Sequence, residues 1–174
     1  MTAVVVALSL LGLGNLVITV TVVRRLNEHT GVLDRLAGEP PLVTRPVGAT
    51  VDEFAAVATD GTAVASGRLA PPTLVGFFSP GCGPCHERLP EFVARARRVP
   101  AGRALAVVAG AGNAAAELVT ELAGAATVVL EPPDGPVARA FGVRGFPAFA
   151  LLGDGGRIEA TGTELTALPV LVAV

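Results

Sequence analysis

Two cysteines lie three residues apart in the stretch Phe77–Pro90, FFSPGCGPCHERLP, and the chain contains no others. The tetrapeptide CGPC from Cys82 to Cys85 is a C-x-x-C pair, a spacing typical of reversible dithiol chemistry. With His86 it also fits C-x-x-C-H, the pattern of covalent haem attachment. A cysteine pair can in addition bind a metal ion. The spacing alone therefore leaves redox exchange, haem attachment and metal binding open.

The supply of further ligands separates these three chemistries. A covalently held haem normally takes Met or His as its second axial ligand. The chain has only Met1 and, apart from His86, only His29, and both lie in or next to the apolar N-terminal segment. A structural zinc site needs four ligands, and there is no second cysteine pair. The sequence therefore argues against haem and zinc, and we expect no bound cofactor or metal.

The redox interpretation needs a thiolate at one of the two cysteines, because the thiolate is the attacking species. The apolar run Thr73–Phe78 predicts a buried strand, after which a helical pattern begins at Gly83. Cys82 then lies at a helix N-terminus, where free N–H groups and the helix dipole stabilise a thiolate. Cys85 follows one turn later, within reach of the Cys82 sulfur. Gly83 lets a client chain approach, and Pro84 suits the first helical turn, so both are predicted substrate-binding residues.

The remaining elements are predicted from apolar periodicity and turn residues. Asp60-Gly61 and Asp154–Gly156 predict hairpin turns, and Asn113 is predicted to cap a helix that stops at Gly124. The alternation of strands and helices before a final hairpin predicts an α/β fold, with a mixed sheet and helices on both faces. The other predicted elements are strands at Arg103–Gly110, Thr127–Pro132, Phe146–Gly153 and Arg157–Gly162, helices at Gly83 to about Val99 and within Asp134–Val143, and a terminal helix at Glu164–Val174 broken by Pro169.

The N-terminal segment Ala3–Val23 carries no charge and is long enough to cross a hydrocarbon core of about 30 Å as a helix. Its uncharged start and its length are unlike those of a cleavable signal peptide. We therefore predict a transmembrane anchor at residues 1–23, a stalk and Pro-rich linker at 24–46, and a folded domain at 47–174. The net charge of −2 and the absence of Trp and Tyr give no reason to expect a nucleic-acid partner.

Three stretches carry a resemblance to a known family. CGPC after TLVGFFSPG, with Pro90 five residues past Cys85, resembles the thioredoxin fold. VRGFPAFALLGDGGRI, Val143–Ile158, resembles the strand of that fold that opens with a cis-proline and ends in a hairpin. DGPVARAFGVRGFP, together with RRLNEHTGVLDRLA after the anchor, is similar to membrane-anchored thiol–disulfide oxidoreductases of the TlpA/ResA type, including MauD-like members. The resemblance covers residues Val47 to Thr161 and, more weakly, the anchor and stalk.

The resemblance implies a role for each matching residue. Cys82 would be the nucleophile and Cys85 the resolving thiol. Pro147 would be the cis-proline beside them, and the backbone of Gly145 and Phe146 would pair with an extended segment of the client.

The chain departs from the family pattern around this site. His86 and Glu87 remain candidates for proton transfer at Cys85. The changes are Gly81 for the usual Trp, Gly76 for the buried Asp of thioredoxins, Arg88 for a Glu, and Ala148 for the Thr after the cis-proline. They put in question the proton transfer and the direction of the reaction more than the reaction itself.

The expected function is a membrane-anchored disulfide reductase for envelope proteins. Its partners would be protein disulfide or thiol clients and a membrane electron donor. The resemblance implies a single-pass protein with its catalytic domain outside the cytoplasm, whereas Arg24 and Arg25 favour the opposite orientation. A thioredoxin-like copper carrier, or a maturation chaperone for a redox protein, is the alternative, because thiolates favour Cu(I). An inactive scaffold is a further alternative, which the intact CGPC opposes.

Overall fold

The computed structural model describes residues 42–171. The predicted anchor at residues 1–23 and the stalk and linker up to residue 41 lie outside the described residues. Within residues 42–171 no helix is long and apolar enough to cross a membrane.

A mixed five-stranded sheet forms the centre of the fold, in the order β5-β4-β3-β6-β7. β3 is parallel to β4 and β4 to β5, whereas β6 is antiparallel to both β3 and β7. Every residue of β3, β4 and β6 is buried, as expected for strands covered on both faces. The strands are β3 (Thr73–Phe78), β4 (Ala104–Ala109), β5 (Thr127–Glu131), β6 (Ala148–Leu152) and β7 (Ile158–Gly162).

Helices cover both faces of this sheet. On one face α1 (Gly83–Ala96) and α2 (Asn113–Ala123) bury Leu89, Phe92 and Leu118 against the strands. On the other face α3 (Pro136–Phe141) packs together with a hairpin of β1 (Ala55–Val57) and β2 (Ala63–Ala65). The predicted α/β architecture, with a mixed sheet between two helical layers, is confirmed.

The predicted hairpin at Asp60-Gly61 joins β1 to β2. Gly61 has a φ of +86°, and the Thr62 N–H donates to Asp60 Oδ1 at 2.8 Å. This bond to Thr62 lowers the pKa of Asp60. The predicted turn at Asp154–Gly156 is also present, as one 3₁₀ turn between β6 and β7. The helix predicted to reach about Val99 ends at Ala96.

The predicted cap at Asn113 is wrong. Asn113 is the first residue of α2, and the cap position belongs to Gly112, which has no side chain to offer. Gly112 has a φ of +81°, a conformation that disfavours residues with a Cβ atom. The sharp turn out of β4 therefore decides where the helix begins.

The predicted terminal helix at Glu164–Val174 is also wrong for the residues that the structure describes. Only a 3₁₀ turn at Leu165–Ala167 is present, and the chain then runs on without regular structure to Leu171. Leu168 is extended, with φ −99° and ψ 140°, as the steric effect of the following Pro169 requires.

Residues just before the predicted boundary at Val47 take part in the described structure. Val43 and Thr44 are 7% and 2% exposed. Arg45 N–H donates to the Phe141 carbonyl at 2.8 Å. The end of the predicted Pro-rich linker is thus part of the domain, because its apolar residues complete the core layer beside α3.

Candidate active site

A β-turn delivers Cys82 from the central strand to the start of α1. β3 ends at Phe78, and the Cys82 N–H donates back to the Ser79 carbonyl at 3.1 Å. Pro80 occupies the second position of this turn, where its fixed φ is favourable. Cys82 is extended, with φ −96° and ψ 106°, and is the N-cap residue of α1. The predicted strand–turn–helix is confirmed.

Cys82 and Cys85 form a disulfide, with their Cα atoms 5.2 Å apart. The Cys85 N–H also donates to Cys82 Sγ at 3.1 Å, so the helix start provides a donor to this sulfur. Cys82 is partly exposed, whereas Cys85 is completely buried. An incoming thiol or disulfide can therefore reach Cys82 first. Gly83 and Pro84 are exposed beside it.

The core around Cys85 is apolar. Cys85 belongs to the layer that contains Leu89 and Phe92, and Gly76 of β3 lies against Phe92. A Cβ atom at Gly76 would lie 2.6 Å from Phe92 Cε2 and 2.9 Å from Phe78 Cε2. The two aromatic rings therefore fill the position at which thioredoxins carry a buried acid.

Of the three polar side chains after Cys85, His86 and Arg88 each lie against a different part of the chain. His86 is exposed, and its Nε2 lies 3.3 Å from the Pro80 carbonyl oxygen. Glu87 is exposed. Arg88 donates from Nη2 to Glu164 Oε1 at 2.9 Å, so its guanidinium faces the C-terminal segment. Proton transfer by His86 or Glu87 stays a prediction.

The Phe146–Pro147 peptide bond is cis, in agreement with the resemblance. Pro147 is buried, and Ala148 immediately after it pairs with Phe77 near the end of β3. The cis-proline loop therefore lies at the same edge of the sheet as the Cys82 turn. Within residues 42–171, neither Gly145 nor Phe146 donates its backbone N–H to a hydrogen bond. Both residues are partly exposed.

Glu131 is a buried carboxylate that sequence reasoning missed. Its Oε2 accepts from the Val137 N–H at 3.0 Å and its Oε1 from the Ala138 N–H at 2.8 Å, so it caps α3. The cis-proline loop follows α3 directly. By capping α3, Glu131 therefore stabilises the helix that positions this loop. The signal in the sequence was an acidic residue four positions before the Gly135-Pro136 helix start, near which a carboxylate is favourable.

Pro80 and Gly110 form a second feature that the sequence did not reveal. A Cβ atom at Gly110 would lie 2.7 Å from both Cδ and Cγ of Pro80. The contact joins the turn before Cys82 to the segment that follows β4. No local pattern links two residues thirty positions apart.

One cavity lies away from the cysteines. It has a volume of about 450 Å³ and lies where the C-terminal ends of α1 and α2 meet, with Asp60, Arg97 and Thr127 in its wall. It holds none of the predicted site residues. Within the described residues, no three His, Cys, Asp or Glu side chains come together as a metal-binding group.

Solved structures share the fold of this chain. The chain resembles the thioredoxin domain of a thiol-disulfide oxidoreductase from Bacteroides vulgatus with a TM-score of 0.57 and 18% identity, over 68% of this chain and 89% of that one. The fold is thioredoxin-like.

Two further solved structures show a comparable similarity. A thiol:disulfide interchange protein from a Bacteroides species gives a TM-score of 0.53 at 18% identity, over 67% of this chain and 80% of that one. StoA from Bacillus subtilis gives 0.51 at 21% identity, over 65% and 88%. No protein-family model matches the chain, and no curated protein matches it. At these identities the thioredoxin-like fold is what the proteins share.

Proposed function

We propose that the protein is a thiol–disulfide oxidoreductase. The Cys82 thiolate attacks one sulfur of a client disulfide, a mixed disulfide forms, and the other client sulfur leaves as a thiolate. The thiolate of Cys85 then attacks Cys82 Sγ and expels the second client sulfur. The client gains two electrons and two protons in total, and the enzyme loses the same number as its own disulfide forms.

One juxtaposition carries this proposal. A partly exposed Cys82 at the start of α1 is bonded to a completely buried Cys85. The two N–H groups of Gly145 and Phe146 lie at the same edge of the sheet. An extended client segment can add to those groups as a strand, which brings its disulfide to Cys82. His86 and Glu87 are the side chains that we propose for proton transfer at Cys85.

Reduction of insulin by the full chain, with dithiothreitol as electron source, tests the proposal. We expect wild-type protein to accelerate precipitation of the insulin B chain, and Cys82→Ser to abolish the acceleration. Titration of the reduced protein with Cu(I) tests the rival function of copper carriage. Stoichiometric, tight Cu(I) binding by a protein that does not reduce insulin would favour the carrier.

The proposed setting is the cell membrane, in a protein of the TlpA/ResA type with MauD-like members among its relatives. The uncharged segment Ala3–Val23 supports an anchor, and the resemblance supports a catalytic domain outside the cytoplasm with a membrane electron donor. Fusing alkaline phosphatase after Val174 tests the orientation, since the phosphatase is active only outside. An inactive phosphatase fusion beside a fluorescent cytoplasmic reporter fusion would show that Arg24 and Arg25 decide the topology.

We propose that the clients are envelope proteins with disulfides. Maturation of cytochrome c, maturation of amine dehydrogenase and general reduction of envelope proteins all fit. In cells, Cys85→Ser should retain clients as mixed disulfides on Cys82, because the resolving thiol is absent. Purification under non-reducing conditions and mass spectrometry then identifies them. Recovery of the same proteins with Cys82→Ser would show that capture does not depend on the exchange reaction.

A further inference from the structure

The turn before Cys82 is held from two sides through Pro80. On one side its ring lies against Gly110, where an added Cβ atom would meet Cδ and Cγ at 2.7 Å. On the other side its carbonyl oxygen lies 3.3 Å from His86 Nε2. The turn itself closes by the 3.1 Å bond between Cys82 N–H and the Ser79 carbonyl. The position of Cys82 is therefore linked to the position of the Pro80 ring.

Gly110 is the fixed side of this contact. Its N–H donates to the Glu131 carbonyl at 2.9 Å, which ties it to β5. β4 just before it is buried along its whole length and paired on both sides. Pro80 lies instead in a turn outside the sheet. A side chain at position 110 would therefore displace Pro80 rather than Gly110.

From this geometry we propose that Gly110 is a positioning residue for the Cys82 thiolate, acting through Pro80. The absence of a Cβ atom at Gly110 lets the Pro80 turn settle against the end of β4. That placement sets Cys82 Sγ at 3.1 Å from the Cys85 N–H, the donor that stabilises its charge. The proposal deepens the proposed function, and rests on it, because it concerns the reactivity of the same sulfur.

Gly110→Ala is the direct test, in the reduced full-length protein. Carbon atoms in ordinary contact lie about 3.5–4.0 Å apart, so the Pro80 ring has to move by roughly 1 Å. We expect alkylation of Cys82 at neutral pH to slow about tenfold, within the roughly hundredfold that such a misplacement can cost. Thiolate formation, followed by its ultraviolet absorbance, should shift to higher pH. Such a spectroscopic shift would not accompany a change in stability alone.

Pro80→Ala supplies the second arm, because it removes the two ring atoms that Gly110→Ala would meet. By itself it should slow Cys82 alkylation about threefold, since the turn loses its packed corner. Adding Gly110→Ala to Pro80→Ala should change the rate less than twofold, which is the non-additivity expected of residues in contact. Gly124→Ala is the matched control, because a Cβ atom there meets nothing within 4 Å, and it should leave the rate unchanged.

Equal losses from Gly110→Ala in both backgrounds, or a wild-type rate in Pro80→Ala, would overturn the proposal. Should Gly110→Ala fail to fold, the comparison of the double variant with Pro80→Ala decides, together with the rate of Pro80→Ala itself. Alkylation and the thiolate titration need no client. A wild-type protein that reduces no protein disulfide would therefore refute the proposed function while the positioning role of Gly110 is still measured.

Discussion

Gly76 in β3 and Phe92 in α1 approach so closely that a Cβ atom at Gly76 would lie 2.6 Å from Phe92 Cε2. The Phe92 ring meets the Phe78 ring edge to face, with centroids 5.2 Å apart. Both rings belong to the core layer that contains Cys85. An acidic side chain at position 76 has no room there, so the glycine is coupled to the aromatic packing. No acid at position 76 can then exchange a proton with Cys85 in the proposed reaction.

Gly76→Asp is predicted to destabilise the domain rather than restore an acid catalyst. Overpacking of a core costs about 1–3 kcal/mol, and a buried carboxylate without partners adds a further cost or is protonated instead. We expect a loss of at least about 3 kcal/mol in the free energy of unfolding, measured by urea denaturation. Gly67→Asp is the control, because Gly67 is exposed and nothing lies within 4 Å of its Cβ position. Equal stability of the two variants, with faster resolution by Gly76→Asp, would contradict this account.

Glu131→Gln is predicted to destabilise α3 and the loop that follows it. The carboxylate accepts one N–H with each oxygen, whereas an amide offers one oxygen and turns its NH₂ toward the other N–H. A buried donor left without a partner costs about 1–3 kcal/mol, and we expect a loss in this range by urea denaturation. Glu121→Gln, at an exposed site on α2, should change stability by less than about 0.5 kcal/mol. If Glu131→Gln left the free energy of unfolding unchanged, α3 would not depend on its carboxylate cap.

The order and type of the central elements could be predicted because each has a strong local signal. Thr73–Phe78 is apolar without interruption, and Cys82, Pro84 and the apolar spacing behind them indicate a helix start. The prediction failed where a neighbour in space decides the conformation. The Leu165 and Leu168 carbonyls accept from the Arg95 guanidinium, seventy or more residues earlier in the chain, and the segment forms a single 3₁₀ turn instead of a helix.

The candidate site divides in the same way. The cysteine pair and the cis-proline loop are visible as short motifs, so the sequence indicates them directly. The contacts that support the site have no short motif in the sequence. Gly110 meets Pro80, and Glu131 caps α3, only after the sheet has formed. Glycines and single acidic residues have many uses, and only the fold selects one.

Arg95→Met is predicted to release the C-terminal segment from α1. The guanidinium donates to the carbonyls of Leu165 at 2.6 Å and Leu168 at 2.8 Å, and also to that of Pro169. Methionine keeps much of the apolar stem and removes the donors. We expect a loss of about 1.5–3 kcal/mol, the contribution typical of hydrogen bonds to a charged group. Faster amide exchange at residues 164–171 would locate the effect.

Arg97→Met is the matched control for Arg95→Met. Arg97 is exposed at the end of the same helix, so its replacement should change stability by less than about 0.5 kcal/mol. If Arg95→Met and Arg97→Met were equally stable and showed equal exchange, the C-terminal segment would be held by its apolar contacts alone.

The two cysteines are predicted to differ in reactivity. Cys82 is partly exposed and accepts an N–H at its sulfur, whereas Cys85 is completely buried in an apolar layer. In the reduced protein, iodoacetamide should therefore modify Cys82 first. Cys85→Ser should accumulate mixed disulfides, and Cys82→Ser should form none. Mass spectrometry of peptides after short exposure measures the order, and earlier modification of Cys85 would reverse the assigned roles.

The protein is predicted to be a reductant rather than a donor of disulfides. A strongly oxidising dithiol is one whose reduced form is stabilised, usually by charge or hydrogen bonds at the thiolate. The two residues between the cysteines are Gly83 and Pro84, which bring no cation, and the nearby Arg88 is paired with Glu164. We therefore expect a potential nearer to the thioredoxin value of about −270 mV than to about −120 mV, the value of a strong oxidant.

Equilibration of the full chain with glutathione buffers measures this potential. Glu164→Gln is an informative variant, because it frees Arg88 without touching the cysteines. The Arg88 side chain is 38% accessible, so solvent screens its charge and it should stabilise a thiolate only modestly even without Glu164. The variant should therefore keep nearly the wild-type potential. A wild-type value above about −160 mV would mean that the protein donates disulfides to its clients, and the proposed direction would be wrong.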